Sequence, residues 1–170
     1  MSPIERSGIR PAREDDAAAM ASIYNYYVTE TFATFEIHPI PAAGMAGRLK
    51  TTLEASLPWI LAETEEGIVG YAHASPWRSR RAYRFSVETT IYVERAHLGQ
   101  GIGTQLYCEL IERLRSDGLH VAIGGIALPN DACIALHEKV GFERIAHFRE
   151  VGFKFGRWID VGYWERVLHP

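Results

Sequence analysis

Residues 92–104 read YVERAHLGQGIGT, which is the pattern of a strand, a glycine-rich loop and the start of a helix. Glycines stand at positions 99, 101 and 103 of this stretch. Consecutive backbone N–H groups at a helix N-terminus bind anions, and glycines let a phosphate group approach the backbone closely. The stretch therefore predicts a phosphate-binding loop between a central strand and a helix.

Strand and helix patterns alternate outward from this loop. Before it we predict a strand over 9–11, a helix capped by Asp15 or Asp16, a helix over 43–53, a hairpin with strands over 58–63 and 68–73, and a strand over 83–94. After it we predict a helix ended by Gly118, a strand over 119–127, a helix opened by Asn130 or Asp131, and strands over 142–148 and 158–167. The order predicts an α/β fold in which helices flank a mixed, mostly antiparallel central sheet with one parallel βαβ crossover.

The composition is that of one globular domain. Hydrophobic residues make up 47% and charged residues 23% of the 170 residues, which excludes a disordered or fibrous chain and predicts a single domain over 1–170. The net charge of −3 gives no general attraction for nucleic acid, and no apolar run is long enough to span a membrane. Residues 1–10 lack the apolar core of a signal peptide, so we expect a cytoplasmic protein.

The cysteines and histidines do not form a metal-ligand pattern. Cys108 and Cys133 are too few for a disulfide framework or a four-ligand zinc site. We predict that both are small, reduced core residues that lie away from the strand over 83–94. The six histidines other than His137 show no ligand spacing, so we expect no metal.

Three classes of phosphate-binding loop compete for this stretch. A Walker loop requires Gly-Lys-Ser/Thr, whereas Gly103 is followed directly by Thr104 with no lysine. A dinucleotide loop requires a further glycine where Thr104 stands. The third class, the pyrophosphate loop of acetyl-CoA-dependent N-acetyltransferases, has the pattern Arg/Gln-x-x-Gly-x-Gly/Ala and fits best. Leu98 replaces its Arg or Gln, and because backbone N–H groups make most phosphate contacts, we expect altered affinity and retained binding.

Six further segments match one family in order along the chain. They read IRPA (9–12), PWRSRRAY (76–83), VETTIYV (87–93), LPND (128–131), LHEKVGF (136–142) and DVGYW (160–164). With the loop they cover nearly the whole chain, which therefore resembles the GNAT acetyltransferases and, within them, the phosphinothricin and methionine sulfoximine/sulfone N-acetyltransferases. The resemblance implies the GNAT fold, acetyl-CoA as the co-substrate and a homodimer.

The resemblance implies that acetyl-CoA lies along the strand, the loop and the next helix. An extended arm can pair with an exposed strand, so we expect the pantetheine to bond the backbone of Ile91, Tyr92 and Val93. The loop residues expected to hold the pyrophosphate are Gly99, Gln100, Gly101, Ile102, Gly103 and Thr104. Asn130 is expected to bond the CoA arm, which is compatible with its alternative role as a helix N-cap.

Two side chains are candidates for proton transfer. Glu88 lies mid-strand on the face opposite Val87 and Thr89, and is either a solvated carboxylate or a base whose pKa is raised by desolvation. The resemblance implies the base, which would accept the proton of the substrate ammonium directly or through a water. His137 is either a core histidine or, as the resemblance implies, a group that protonates the departing thiolate or relays the amine proton.

Three arginines precede the strand that carries Glu88. Arg78, Arg80 and Arg81 can grip an anionic head group with paired hydrogen bonds, or they can form a solvated loop. The resemblance implies that Arg78 and Arg80 bind the phosphinate or carboxylate of an amino acid. The further acceptor residues that it implies are Phe35, Tyr83 and, across a dimer interface, Val161.

Together these inferences predict an acetyl-CoA-dependent N-acetyltransferase in which the amine attacks the thioester directly within a ternary complex. The expected acceptors are phosphinothricin, methionine sulfoximine and methionine sulfone, with neither nucleic acid nor membrane as a partner. Two alternatives stay open: a GNAT enzyme for an amino sugar, polyamine or protein N-terminus, and a non-catalytic acyl-CoA-binding sensor. The arginines argue against a polyamine because like charges repel, and the presence of Glu88, His137 and Asn130 together argues against a sensor.

Overall fold

The computed structural model describes residues 8–169. Its strands are β1 (Gly8–Pro11), β2 (Trp59–Thr64), β3 (Gly67–Pro76), β4 (Ser86–Val93), β5 (Val121–Leu128), β6 (Glu143–Lys154) and β7 (Arg157–Val167). Its α-helices are α1 (Ala17–Glu30), α2 (Ala42–Glu54), α3 (Ile102–Ser116) and α4 (Asp131–Lys139).

One seven-stranded sheet has the strand order β1-β2-β3-β4-β5-β7-β6. Neighbouring strands are antiparallel except β4 and β5, which are parallel and connected through α3. The predicted mixed sheet with one βαβ crossover is therefore confirmed. The pairing of β4 with β5 joins Ser86–Glu88 to residues 121–123 and then stops. The two central strands separate beyond Glu88, and this opening positions the site.

Helices cover the two faces of the sheet with separate cores. On one face, α1 and α2 pack against Trp59, Leu61 and Tyr71. On the other face, α3 buries side chains that are each at most 1% exposed, namely Leu106, Tyr107, Leu110, Ile111 and Leu114. Full burial of a large apolar side chain is worth about 1.5–3 kcal/mol, so this face fixes α3, and with it the loop at its N-terminus, against the sheet.

Several element boundaries differ from the predictions. β4 begins at Ser86, three residues later than predicted, because residues 81–83 form a short 3₁₀ turn. β6 extends to Lys154 and contains a bulge in which three residues, 149–151, oppose a single residue of β7. Asp16 stands at the N-cap of α1 but does not cap the helix, because its carboxylate pairs with Arg10 at 2.8 Å and accepts the N–H of Arg13.

The prediction that both cysteines lie in the core is wrong for Cys108, which is exposed, whereas Cys133 is half-buried. Cys108 follows the inward-facing Tyr107 on α3, and the helical period of 3.6 residues turns it towards solvent. No helix within residues 8–169 is long and apolar enough to cross a membrane. The prediction about the N-terminal segment falls largely on residues 1–7, which lie outside the described part of the chain.

Candidate active site

A cavity of about 400 Å³ lies where β4 and β5 separate. Glu88 and residues 89–93 of β4 line one side, and residues 125–127 of β5 line the other. Parts of α4 and its N-cap close the cavity. The residues predicted for catalysis or acetyl-CoA binding that line it are Glu88, Ile91, Tyr92, Val93, Asn130 and His137. The open strand edge and the cavity therefore coincide with the predicted position of the pantetheine arm.

The glycine loop ends at the N-terminus of α3. Gly99 and Gly101 have φ angles of +74° and +83°, a left-handed conformation that favours glycine. The first hydrogen bond of α3 runs from the Gln105 N–H to the Gly101 carbonyl, so the preceding N–H groups have no acceptor in their own helix. A Cβ at Gly103 would lie 3.2 Å from Leu136 Cδ2, so this glycine lets α4 pack closely. The loop thus offers unpaired donors where a pyrophosphate is expected.

Two groups that are predicted to contact acetyl-CoA, Asn130 and the Val93 carbonyl, also make hydrogen bonds within the protein. The Asn130 Oδ1 accepts the Cys133 N–H at 3.1 Å, which confirms the N-cap role. Asn130 also lines the cavity, so capping and ligand binding are compatible. The Val93 carbonyl accepts a hydrogen bond from the Tyr27 hydroxyl, which holds the end of β4 against α1. Leu98, where the family has Arg or Gln, lines the cavity and is 54% exposed.

Glu88 is half-buried at the point where the two central strands part. Burial raises the pKa of its carboxyl, and the charge of Arg78 opposes this shift. Within residues 8–169 no hydrogen-bond donor contacts the carboxylate. A carboxylate that is desolvated but not hydrogen-bonded is a stronger base than a solvated one, which is the state that the sequence predicted for proton abstraction.

A chain of hydrogen bonds connects His137 to β4. The Tyr107 hydroxyl lies 2.7 Å from Thr89 Oγ1 and 2.8 Å from His137 Nε2, and His137 Nδ1 lies 2.8 Å from the Cys133 carbonyl. Because a carbonyl only accepts, Nδ1 carries the proton, and Nε2 accepts the proton of Tyr107. Burial lowers the pKa of His137, which is 3% exposed. His137 is therefore a neutral imidazole in the cavity wall, with both ring nitrogens engaged in hydrogen bonds.

Cys133 lines the same cavity as Glu88, so the prediction that neither cysteine lies near the catalytic strand is wrong. The fold brings α4 across the opening of the sheet, a placement that the order of elements does not specify. Burial raises the pKa of the Cys133 thiol to about 12. The thiol is therefore protonated at neutral pH and is a poor nucleophile.

The five predicted acceptor residues lie outside the lining of this cavity. Arg78 is close enough to influence the pKa of Glu88, and its guanidinium stacks 4.8 Å from the ring of Trp77. Arg80 precedes the 3₁₀ turn that contains the exposed Tyr83. The others lie towards the β6–β7 hairpin: Phe35 contacts Gly152, and Val161 is buried in β7 opposite Ala127.

Sequence reasoning missed two residues around the site. Tyr163 of β7 lies beside Glu88 and contacts Trp77, and Tyr107 links His137 to the catalytic strand. Tyr163 is two residues from Val161, so the two-residue period of a strand places both on one face, which is the signal that identifies it. In the described chain, 8–169, no cluster of three or more His, Cys, Asp or Glu side chains could hold a metal ion.

An open edge of a central strand, N–H donors that the helix leaves unpaired at its start and a desolvated carboxylate define a site suited to an extended, phosphate-bearing ligand with a base beside it. The family model for the acetyltransferase (GNAT) domain matches residues 9–162. The chain belongs to the GNAT family and is an acetyl-CoA-dependent N-acetyltransferase. The predicted fold, enzyme class and co-substrate are thereby confirmed.

Named relatives refine this comparison. The phosphinothricin N-acetyltransferase of Streptomyces coelicolor is 40% identical over 174 aligned positions, which cover 94% of this chain and 95% of that protein. The L-methionine sulfoximine/L-methionine sulfone acetyltransferase of Salmonella typhimurium is 35% identical over 160 positions, with 94% of each chain covered. The structure of a GNAT superfamily phosphinothricin acetyltransferase from Sinorhizobium meliloti in complex with AcCoA has a TM-score of 0.92 and 37% identity, and the match covers 95% of this chain and 88% of that one.

Proposed function

We propose that this enzyme acetylates the α-amino group of a small amino acid whose side chain carries a phosphinate, sulfoximine or sulfone group and not a planar carboxylate. Phosphinothricin, methionine sulfoximine and methionine sulfone are the proposed acceptors. The observation that carries the proposal is the juxtaposition of the desolvated Glu88 carboxylate, which has no donor within residues 8–169, with the Arg78 guanidinium. A base for the amine and a cation for the acidic end of the acceptor are then close enough to interact with each other.

In the proposed reaction, Glu88 removes a proton from the acceptor ammonium so that the nitrogen has a free electron pair. The raised pKa of its carboxyl brings the base closer to neutral pH, where general catalysis is most effective. Acetyl-CoA supplies the activated acetyl group as a thioester. The acceptor nitrogen attacks the thioester carbonyl carbon directly within a ternary complex. The amide C–N bond forms as the C–S bond breaks, and CoA leaves as a thiolate that gains a proton as the nitrogen loses its second one. The half-buried Cys133 thiol takes no part because its pKa is raised to about 12.

The proposed role of His137 is to position its neighbours. Its Nδ1 proton is donated to the Cys133 carbonyl, and its Nε2 accepts from Tyr107, so the neutral imidazole has no second proton to release. The imidazole fixes the Tyr107 hydroxyl, which in turn holds Thr89 one residue from the catalytic Glu88. Protonation of the departing thiolate by His137, which the family resemblance implies, stays a prediction that a variant can test.

We also propose that one domain spans residues 1–170 and that two copies form a homodimer through the β6–β7 hairpin. Seven large apolar side chains of this hairpin are between 42% and 62% exposed: Ile145, Phe148, Val151, Phe153, Phe155, Trp158 and Val167. Exposed apolar side chains concentrated on one element are typical of an interface. Sedimentation equilibrium tests this, since a mass near 38 kDa is expected and the 19.1 kDa of a monomer would contradict it.

Thiol release from acetyl-CoA tests the proposed activity. Phosphinothricin, methionine sulfoximine, methionine sulfone, glutamate and spermidine are compared as acceptors under the same conditions. Saturable release with the first three, and none with glutamate or spermidine, is expected. Release with spermidine would favour an enzyme for polyamines. Tight binding of acetyl-CoA without release on any acceptor would favour an acyl-CoA-binding sensor and contradict the proposal.

A further inference from the structure

Tyr163 lies near Glu88 and contacts two further aromatic side chains, and none of the three takes part in the acetyl-CoA binding or proton abstraction proposed above. The ring centroid of Tyr163 lies 5.6 Å from that of Trp77 and 5.5 Å from that of Phe148, and both pairs are edge-to-face. Such pairs add to the stability gained from burial and restrict ring motion. Tyr163 is therefore held in place by an aromatic neighbour on each of two elements, the segment after β3 and the strand β6.

Gly125 of β5 separates Tyr163 from Glu88. A Cβ at this position would lie 3.2 Å from Tyr163 Cε1 and 3.5 Å from Glu88 Oε1. Because Gly125 has no side chain, the backbone between the Glu88 carboxylate and the Tyr163 ring is open to the cavity, and the space above it can be approached by a ligand. Gly125 is exposed to the cavity, and its φ angle lies outside the left-handed range, so glycine is not needed for backbone reasons.

A primary amine matches the chemistry of this surface. An ammonium group that rests on the Gly125 backbone lies between the Glu88 carboxylate and the Tyr163 ring. The Glu88 carboxylate attracts it and accepts its proton, and an aromatic ring next to a cation attracts it further. The Arg78 guanidinium opposes the rise in the pKa of Glu88, which keeps the carboxylate ionised and able to attract an ammonium.

Resting on the function proposed above, we propose that the space above Gly125 is the subsite for the acceptor amine and that Tyr163 is an acceptor-binding residue. The Tyr163 ring packs against the first carbons of the acceptor, and Trp77 and Phe148 hold the ring in position. The Tyr163 hydroxyl has no hydrogen-bond partner within residues 8–169 and is free to donate to the acceptor carboxylate. Burial and Glu88 raise the pKa of this phenol, which keeps its proton at neutral pH.

Two variants test the subsite through different atoms. Gly125→Ala places a methyl group where the amine is proposed to bind, and Tyr163→Leu removes the ring and hydroxyl. Phe85→Leu is the matched control, because Phe85 is 48% exposed, stacks under Arg84 and lies just before β4 on the face away from Glu88. For each protein, KM for methionine sulfone, KM for acetyl-CoA, kcat and Tm are measured, together with methionine sulfone binding to the CoA-saturated protein by calorimetry.

Both site variants are expected to raise KM for methionine sulfone at least tenfold and to weaken its calorimetric binding equally. KM for acetyl-CoA should change less than twofold, and the control should match the wild type. Unchanged acceptor KM in Tyr163→Leu, or equal losses for acceptor and acetyl-CoA in Gly125→Ala, would overturn the subsite. If methionine sulfone binds in a way that depends on Tyr163 but no thiol is released, the proposed function alone is overturned. If methionine sulfone does not bind to the wild type, both the subsite and the proposed function are overturned.

Discussion

Replacing Glu88 with glutamine changes one atom of the proposed base and preserves the shape of the side chain. Within residues 8–169 the carboxylate has no hydrogen-bond donor, so no native hydrogen bond is lost. A positioned general base contributes about 10²–10⁴-fold to rate, so kcat should fall by about that factor in Glu88→Gln. The dissociation constant of acetyl-CoA should stay within twofold, because the predicted CoA contacts lie beyond Glu88 on β4 and the glycine loop.

The same substitution has a second expected effect, on stability. Burial raises the folded-state pKa of the Glu88 carboxyl above its unfolded value. The contribution of this group to the free energy of unfolding is therefore fully present below the unfolded pKa, and it is lost as pH rises through the folded pKa. At pH 7 the ionised carboxylate therefore destabilises the fold relative to a neutral side chain. Glu88→Gln should unfold at the same or a higher Tm at pH 7, with the difference shrinking at acidic pH.

Steady-state kinetics from pH 5 to 9, with both substrates varied, and thermal unfolding of the same preparations measure these effects. In the wild type, kcat/KM should rise with pH through the Glu88 ionisation, and this limb should be absent in the variant. A Glu88→Gln enzyme with nearly wild-type kcat and the same pH profile would refute base catalysis by this residue. A large fall in Tm would show that the carboxylate has a structural partner and would also refute the reasoning.

Three further predictions address Arg78, His137 and His73. Arg78→Gln removes a cation, so it should raise KM for phosphinothricin, which has an anionic side chain, at least tenfold. KM for methionine sulfone, which has an uncharged side chain, should rise much less. Equal changes in the two KM values would contradict binding of the anionic side chain by Arg78. His137→Asn should lower Tm, because the buried Tyr107 hydroxyl loses its acceptor. The same variant should lower kcat less than tenfold. A hundredfold loss of kcat at unchanged Tm would instead support acid catalysis by His137. Burial lowers the pKa of His73 in β3 from 6.5 to about 4 in the folded state. Between pH 6.5 and pH 4 the unfolded state therefore binds more protons than the folded state, and the free energy of unfolding falls as pH drops below 6.5. Urea unfolding should show up to about 2 kcal/mol lost at pH 5 for this reason, and His73→Leu should lose correspondingly less; an equal loss in the variant would exclude His73 as the cause.

The glycine loop could be predicted because its chemistry is local. Glycines at positions 99 and 101 adopt left-handed backbone angles and precede a helix whose apolar face is clear in the sequence. The position of Glu88 mid-strand also followed from alternation, since Val87 and Thr89 are buried on the opposite face. Features fixed by residues that lie within one element or one turn of each other are accessible to sequence reasoning.

Features that depend on contacts between distant elements could not be predicted. The Arg10 ion pair diverts Asp16 from its predicted role as a helix cap. The pairing of β5 with β7 brings Gly125 opposite Tyr163, and no spacing in the sequence encodes that register. Packing of α3 against α4 likewise joins Tyr107 to His137 across 30 residues of chain. The exposure of Cys108 is different, since helical periodicity predicts it correctly once the usual burial of cysteine is set aside.

The most direct test of acetyl transfer to a small amino acid is the identification of both products from one reaction. The enzyme is incubated with acetyl-CoA and phosphinothricin, CoA thiol is quantified by colorimetry, and the amino acid is analysed by mass spectrometry. We predict saturable release of CoA and an equal amount of N-acetylphosphinothricin, both abolished when the acceptor is omitted. An acceptor that stays unmodified, with acetyl-CoA bound but not consumed, would contradict this prediction.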